Sequence, residues 1–122
     1  MKIPALVHGI LDYTTVLVLA FTPIFFAMQG SAATFTYVLA SIHLLLTLFT
    51  DFDAGAFRLV PFQVHGLIEL IVAFLMVGIA FWFRASGDQV AFYFYIVFSI
   101  ALFVIWLLSD YRKKDANLFG KN

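Results

Sequence analysis

Apolar positions run along this chain in long unbroken stretches, with neither the strict alternation of a half-buried strand nor a polar face at helical spacing. From Tyr13 to Thr50 there is no Asp, Glu, Lys or Arg, a stretch of 38 residues. A helix crosses a bilayer core of about 30 Å with roughly 20 apolar residues, so this stretch holds two crossings, and Gln29-Gly30-Ser31 is its natural break. The pattern predicts spans over 4–28 and 34–50, a third opening at Pro61 and running to 83, and a fourth over 89–109. The polar connections are the segment from Asp51 to Arg58, the turn Arg84-Ala85-Ser86-Gly87-Asp88, and a charged tail from Asp110 onward. A spanning β-barrel is excluded, because its strands alternate apolar and polar residues. A cleavable signal peptide is the competing account of the first span. The recurrence of its pattern in the third span argues for a permanent helix.

That recurrence is an internal repeat. Pro4-Ala5-Leu6-Val7-His8-Gly9-Ile10-Leu11-Asp12 aligns with Pro61-Phe62-Gln63-Val64-His65-Gly66-Leu67-Ile68-Glu69 at an offset of 57, and Gly30 matches Gly87 at the same offset. The second spans align at an offset of 59: Phe35 with Phe94, Val38 with Val97, and Thr50-Asp51-Phe52 with Ser109-Asp110-Tyr111. Two crossings per half return the chain to its starting side, so the halves share one topology and a pseudo-twofold along the membrane normal, the parallel type of repeat. The expected fold is an all-α membrane protein, a four-transmembrane-helix bundle of two parallel hairpin repeats. It is read as a single integral membrane domain over 1–122, with repeat 1 over about 1–57, repeat 2 over about 58–114 and a short polar tail over 115–122.

On these repeated hairpins, and on Thr22-Pro23-Ile24 in the first half, the chain resembles the SPW-repeat small integral membrane proteins, whose name motif is Ser-Pro-Trp. The corresponding stretch of the second half is Ile79-Ala80-Phe81, without the proline. The resemblance covers nearly the whole chain. It implies two helical hairpins and no established biochemical activity.

Composition agrees with a membrane setting: 64% of the 122 residues are hydrophobic and 11% charged, against about a quarter charged in soluble domains. With no cysteine, thiol nucleophiles, redox pairs and thiolate metal sites are excluded. Seven basic and seven acidic residues leave no net charge, hence no basic footprint for nucleic acid. The bilayer is the expected surrounding partner, with a homo-oligomer or another membrane protein as further candidates. With the N-terminus inside, Lys2, Arg58, Arg112, Lys113, Lys114 and Lys121 share the cytoplasmic side and only Arg84 lies outside, the bias of the positive-inside rule. Both termini are therefore expected in the cytoplasm, in a bacterial inner (plasma) membrane. Trp82, Tyr93, Tyr95 and the Phe81-Trp82-Phe83 run fit an outer aromatic belt, and Tyr111 an inner one.

Two acidic residues fall inside spans, Asp12 and Glu69, each four residues after a histidine, so each pair shares a helical face. If Pro4 and Pro61 open their helices, His8 and His65 lie roughly 6 Å and Asp12 and Glu69 roughly 12 Å along them. His43, about 10 Å in from the end of the second span, reaches a similar depth, and its repeat partner is Leu102. Asp51 and Asp110 stand at the mouth. Intramembrane ionisable groups are costly and functional by default. Three readings of this cluster compete. In the first, His–carboxylate bonds staple the helices while Gly9 and Gly66 permit close packing. In the second, the same groups bind a divalent metal such as Zn²⁺, Mn²⁺ or Fe²⁺, or relay protons. In the third, His8 and His65 ligate a b-type haem, which the neighbouring acids disfavour. A structural or interaction subunit without ligand, or a haem- or quinone-binding accessory, are the alternatives to a cation or proton site.

Other motifs are weaker. Asp51-Phe52-Asp53-Ala54-Gly55 begins like a calcium loop, but Phe62 stands where the bidentate Glu is required, so the segment is read as a turn whose acids pair with Arg58. Phosphate loops and nucleophile elbows are absent from the sequence, and an enzyme is not expected.

Overall fold

The computed structural model describes residues 2–112; Lys113, Lys114 and Lys121 of the charge bias, and the tail over 115–122, lie outside the described residues. The described residues form four helices: α1 (Ala5–Phe25), α2 (Gly30–Leu48), α3 (Phe62–Ala85) and α4 (Gln89–Leu108). All four are long and apolar enough to cross a membrane. Their outward faces carry large apolar side chains such as Phe21, Phe25, Phe74 and Val97, the surface that lipid, not water, accommodates. α1 packs on α2 and α3 on α4.

Both prolines stand one position earlier than expected. Pro4 and Pro61 are the capping residues, with ψ of 161° and 142°, and the helices start at Ala5 and Phe62. An extended ψ on proline feeds the chain into the first turn, and the missing N–H costs nothing there. The second helix begins at Gly30, four residues before the predicted start at Thr34, because the reversal is completed by Ala27, Met28 and Gln29. Ala27 takes a left-handed φ of 53°, and the Met28 N–H returns to the Pro23 carbonyl at 2.8 Å. The α3–α4 turn repeats this closure with Gly87 at φ 88° and the Asp88 N–H on the Phe83 carbonyl at 2.9 Å. This is the helix stop in which a residue in the left-handed region lets the chain satisfy the last carbonyls. Ala27 thus holds the place in this turn that Gly87 holds in the other, while Gly30 also takes a left-handed φ of 56°. Asp88 then caps α4, its carboxylate accepting from the Ala91 N–H at 3.0 Å.

Two small backbone pairings tie the opposite end together. Thr50–Asp51 (β1) runs parallel to Val60–Pro61 (β2), and Ile3 pairs in parallel with Ser109. The Ile3 N–H donates to the Leu108 carbonyl at 2.7 Å and the Val60 N–H to the Phe49 carbonyl at 2.7 Å. Each segment leading into α1 or α3 is therefore bonded to the end of α4 or α2.

The interior divides into two aromatic layers. At the end bearing the two tight turns, Met76, Ala80 and Phe83 of α3 pack with Ala91, Phe92 and Tyr95 of α4 and with Ala32 of α2. Phe83 and Tyr95, expected in an outer aromatic belt, belong to this core. Phe83 stacks on Tyr95 with centroids 5.8 Å apart. The Tyr95 hydroxyl donates to Thr36 Oγ1 at 2.5 Å, since the Thr36 hydrogen goes to the Ala32 carbonyl at 2.8 Å. A buried phenol with a partner has no need of an interface. Trp82 and Tyr93 do face outward. At the other end Ala5, Phe52 and Phe62 form a second layer with Ala54 and Tyr111 packed on it.

Close approach in that second layer depends on glycine. A Cβ on Gly55 would collide with the Thr50 carbonyl oxygen, which is backbone and cannot turn aside. Gly55→Ala is expected to cost about 1–3 kcal/mol through forced displacement, read as a lowered midpoint of thermal unfolding in detergent. Gly30→Ala meets open space, but its φ of 56° makes the cost conformational instead.

Candidate metal centre

His8 and Asp12 on α1 and His65 and Glu69 on α3 are all buried, and ligand-type atoms of the four lie within 4.8 Å of one another. The spacing of four residues within each helix explains why both members of a pair face inward. The two helices then present their pairs to each other. His8 Nε2 lies 3.0 Å from Glu69 Oε2 and 3.4 Å from Asp12 Oδ1. His65 Nε2 lies 3.1 Å from Glu69 Oε2 and 3.1 Å from Asp12 Oδ2. Each imidazole thus directs the same nitrogen into the gap between two carboxylates. A tetrahedron with bonds of about 2.0–2.2 Å has edges of about 3.3–3.6 Å, so a small shift outward of these atoms admits a metal ion.

The opposite ring nitrogens show how the imidazoles are held. His8 Nδ1 lies 2.7 Å from Ser109 Oγ, and His65 Nδ1 lies 2.8 Å from Thr50 Oγ1. Neither hydroxyl has a hydrogen to offer the ring. Ser109 Oγ donates to the Ile105 carbonyl at 2.6 Å, and Thr50 Oγ1 to the Leu46 carbonyl at 2.6 Å. A hydroxyl has one hydrogen and two lone pairs, so in both cases the imidazole Nδ1–H must donate to the hydroxyl oxygen. A neutral imidazole then carries a bare lone pair at Nε2. Two such lone pairs facing two carboxylates repel, so the centre requires either two additional protons or a cation. A ring fixed through Nδ1–H is also how proteins orient a histidine that ligates through Nε2.

Tyr111 closes the cluster toward the β1–β2 end, its hydroxyl donating to Glu69 Oε1 at 2.7 Å. Burial first, and then the Glu69 carboxylate, push the Tyr111 phenol above its ordinary value, so it remains a donor. Its ring packs edge-on to His8 with centroids 5.4 Å apart and fills the space a Cβ on Gly66 would take. Gly9 makes the matching allowance for Phe52 and Ala54. The close approach at both glycines is to the segments that follow α2 and α4.

His43 stands to one side, its Nε2 buried 3.6 Å from Asp12 Oδ1 and without a hydrogen-bond partner among the described residues. Asp12 Oδ2, although 3.1 Å from His65 Nε2, also lacks hydrogen-bonding geometry. Asp51 and Asp110 remain outside the cluster: Asp51 lies in β1, and Asp110 binds exposed Arg112 through both carboxylate oxygens. Arg58 turns back on the Gly55 and Asp53 carbonyls. A macrocycle between His8 and His65 has no plane to occupy, since ring centroids 5.4 Å apart are bridged by the two carboxylates.

Thr50, Ser109 and Tyr111 are the site residues that motif reading did not single out. Their signal was the aligned triplet Thr50-Asp51-Phe52 and Ser109-Asp110-Tyr111, in which a hydroxyl residue keeps its place in both halves. Fold and cluster together define a helical membrane-type protein with a buried His/Asp/Glu centre. Comparison of the chain with protein-family models, curated proteins and solved structures returns no match.

Proposed function

We propose that this protein is an integral membrane protein that binds one divalent first-row transition ion between His8, Asp12, His65 and Glu69. One observation carries the reading. Both imidazoles are obliged to donate through Nδ1, which turns two Nε2 lone pairs and two carboxylates onto one point. Two neutral imidazoles and two carboxylates carry a charge of about −2, so a dication closes the centre with no net charge to bury. Nitrogen and carboxylate oxygen donors without a thiolate suit Zn²⁺, Fe²⁺ or Mn²⁺.

The centre is read as lying on a pseudo-twofold that relates two hairpins. Several contacts support that symmetry: His8 meets His65, Thr36 meets Tyr95, and the Ile3–Ser109 pairing answers Val60–Thr50. The second-half hydroxyl Ser109 orients the first-half His8, and the first-half Thr50 orients the second-half His65. The distribution of Lys and Arg supports both termini in the cytoplasm of a bacterial inner membrane, which puts the centre in the cytoplasmic half of the bilayer.

A second reading has its own observation. Glu69 Oε2 lies 3.0 and 3.1 Å from the two Nε2 atoms, so with both imidazoles protonated it accepts from each, and the cluster serves as a proton store or a staple. Elemental analysis of protein purified in mild detergent separates the two. The metal reading expects about one transition ion per chain, reduced to a trace by a strong chelator and restored by adding back the ion. Protein that stays metal-free after incubation with Zn²⁺, Fe²⁺ and Mn²⁺ in turn leaves the proton reading.

A further inference from the structure

A small cavity of about 40 Å³ adjoins the centre, walled by α2, α3 and α4. Its walls are apolar, Leu39, Leu46, Val72 and Leu102 among them, except at His43 and Glu69. A space of roughly 10–15 Å³ suffices for one water, so this one has room for a water or a ligand of two or three atoms. Both Glu69 oxygens are already engaged, Oε1 by the Tyr111 hydroxyl and Oε2 by the centre itself. The polar group left over is His43, whose buried Nε2 has no hydrogen-bond partner among the described residues. In the repeat alignment His43 corresponds to Leu102, and both line this one cavity. The centre is therefore polar and hollow on one flank, and it is closed by Ser109, Thr50 and Tyr111 on the others.

We propose that the metal ion keeps a coordination position open toward this cavity, where it takes a small neutral ligand, water or a diatomic gas, hydrogen-bonded by His43. The inference rests on the metal reading. Four protein donors leave a position vacant in five- or six-coordinate ions. The ligand enters from the side on which the protein has left room and one unsatisfied nitrogen. Charge selects its class. Because two carboxylates already balance a dication, an anion would bury a net charge in an apolar surround, and a neutral molecule would not. Small apolar gases also partition into the lipid around the helices, which supplies the cavity without an aqueous channel.

The test uses the full chain loaded with Co²⁺, which enters zinc, iron and manganese sites alike, and nitric oxide as the probe under anaerobic conditions. Nitric oxide is expected to shift the visible ligand-field bands of the cobalt protein saturably. Leu102→Phe fills the cavity, and it is expected to abolish the shift while about one cobalt per chain stays bound. His43→Leu leaves the four ligands intact and is expected to weaken nitric oxide binding about fivefold, the value of one hydrogen bond. Cobalt bound with bands that ignore nitric oxide overturns the open position and leaves the metal centre standing. The same holds if both variants respond as wild type does. Failure to take up cobalt at all overturns the metal centre, and this inference with it.

Discussion

Replacing His65 by alanine is expected to reduce the bound metal from about one ion per chain to below about a tenth, with an affinity loss of at least ~100-fold. His8→Ala should match it, because each imidazole presents Nε2 to both carboxylates at comparable distances. The scale follows from a milder change. Loss of an outer partner that only orients a ligand costs about 10–100-fold in affinity, and loss of the ligand itself exceeds that. The outer partners supply the internal control. Thr50→Val removes the oxygen that accepts the His65 Nδ1–H, and Ser109→Ala does the same for His8. Each is expected to fall within the 10–100-fold range while retaining stoichiometric metal at saturating ion. Competition with a chromophoric chelator measures all four. Equal affinity in wild type and His65→Ala would remove His65 from the coordination shell, and the proposed centre would fail with it.

Much of this architecture is visible in the residues alone, because lipid imposes a simple demand. With no water to take up backbone groups, long apolar segments must be helical, and 38 residues without a charge must turn back once. The placement of Phe83 and Tyr95 was not legible in the same way. An aromatic near a span end suits an interface or a core equally, and only the Thr36 hydroxyl opposite Tyr95 decides it. Helix ends were blurred for a related reason. Ala27 gives no sign in the sequence that it will adopt a left-handed turn, whereas Gly30 does, so the residues point to a reversal a few positions later than the one the chain makes.

At the site, the fourfold spacing of His8 to Asp12 and His65 to Glu69 announced two polar faces, since helical geometry is local. That the faces meet depends on α1 and α3 approaching each other, which is a property of the whole packing. The direction of each imidazole depends on residues far away in the chain: Ser109 for His8 and Thr50 for His65. The same separation hides Tyr111, which reaches Glu69 across 42 positions. An aromatic beside a charged tail reads as an interfacial anchor until its hydroxyl is seen to have a buried partner.

The stability of the cluster should be governed by charge balance and not by the number of its bonds. In chelator, with metal absent, His65→Leu leaves two buried carboxylates, Asp12 and Glu69, facing His8, with His43 Nε2 3.6 Å from Asp12 Oδ1 but not hydrogen-bonded to it; both carboxylates are nearly inaccessible, at 3% and 2%. Breaking a buried ion pair from one side costs about 3–5 kcal/mol, because the remaining charge has no counterpart. The low polarity around the helices makes substitution by solvent harder still. Changing all four residues and Tyr111 together, as His8→Leu, Asp12→Leu, His65→Leu, Glu69→Met and Tyr111→Phe, removes both carboxylates and every group hydrogen-bonded to them, and leaves only His43 beside the cluster. Ser109 and Thr50 keep their bonds to the Ile105 and Leu46 carbonyls, and His43, whose Nε2 has no hydrogen-bond partner among the described residues to begin with, loses none. Apolar replacement of a complete buried ionic set is often neutral or stabilising by about 1–4 kcal/mol. The fivefold variant is therefore expected to unfold in detergent within about 2 kcal/mol of metal-free wild type, and well above the single variant. It should also gain nothing from added metal, whereas wild type at a hundredfold excess of ion over its dissociation constant gains about 2.7 kcal/mol. A single variant as stable as wild type would mean that solvent reaches the carboxylates. A fivefold variant weaker than the single one would mean that the histidines and acids hold the helices together by their bonds. The pairing of one stable and one unstable outcome is what a cluster retained for its ligand, and not for its strength, must show.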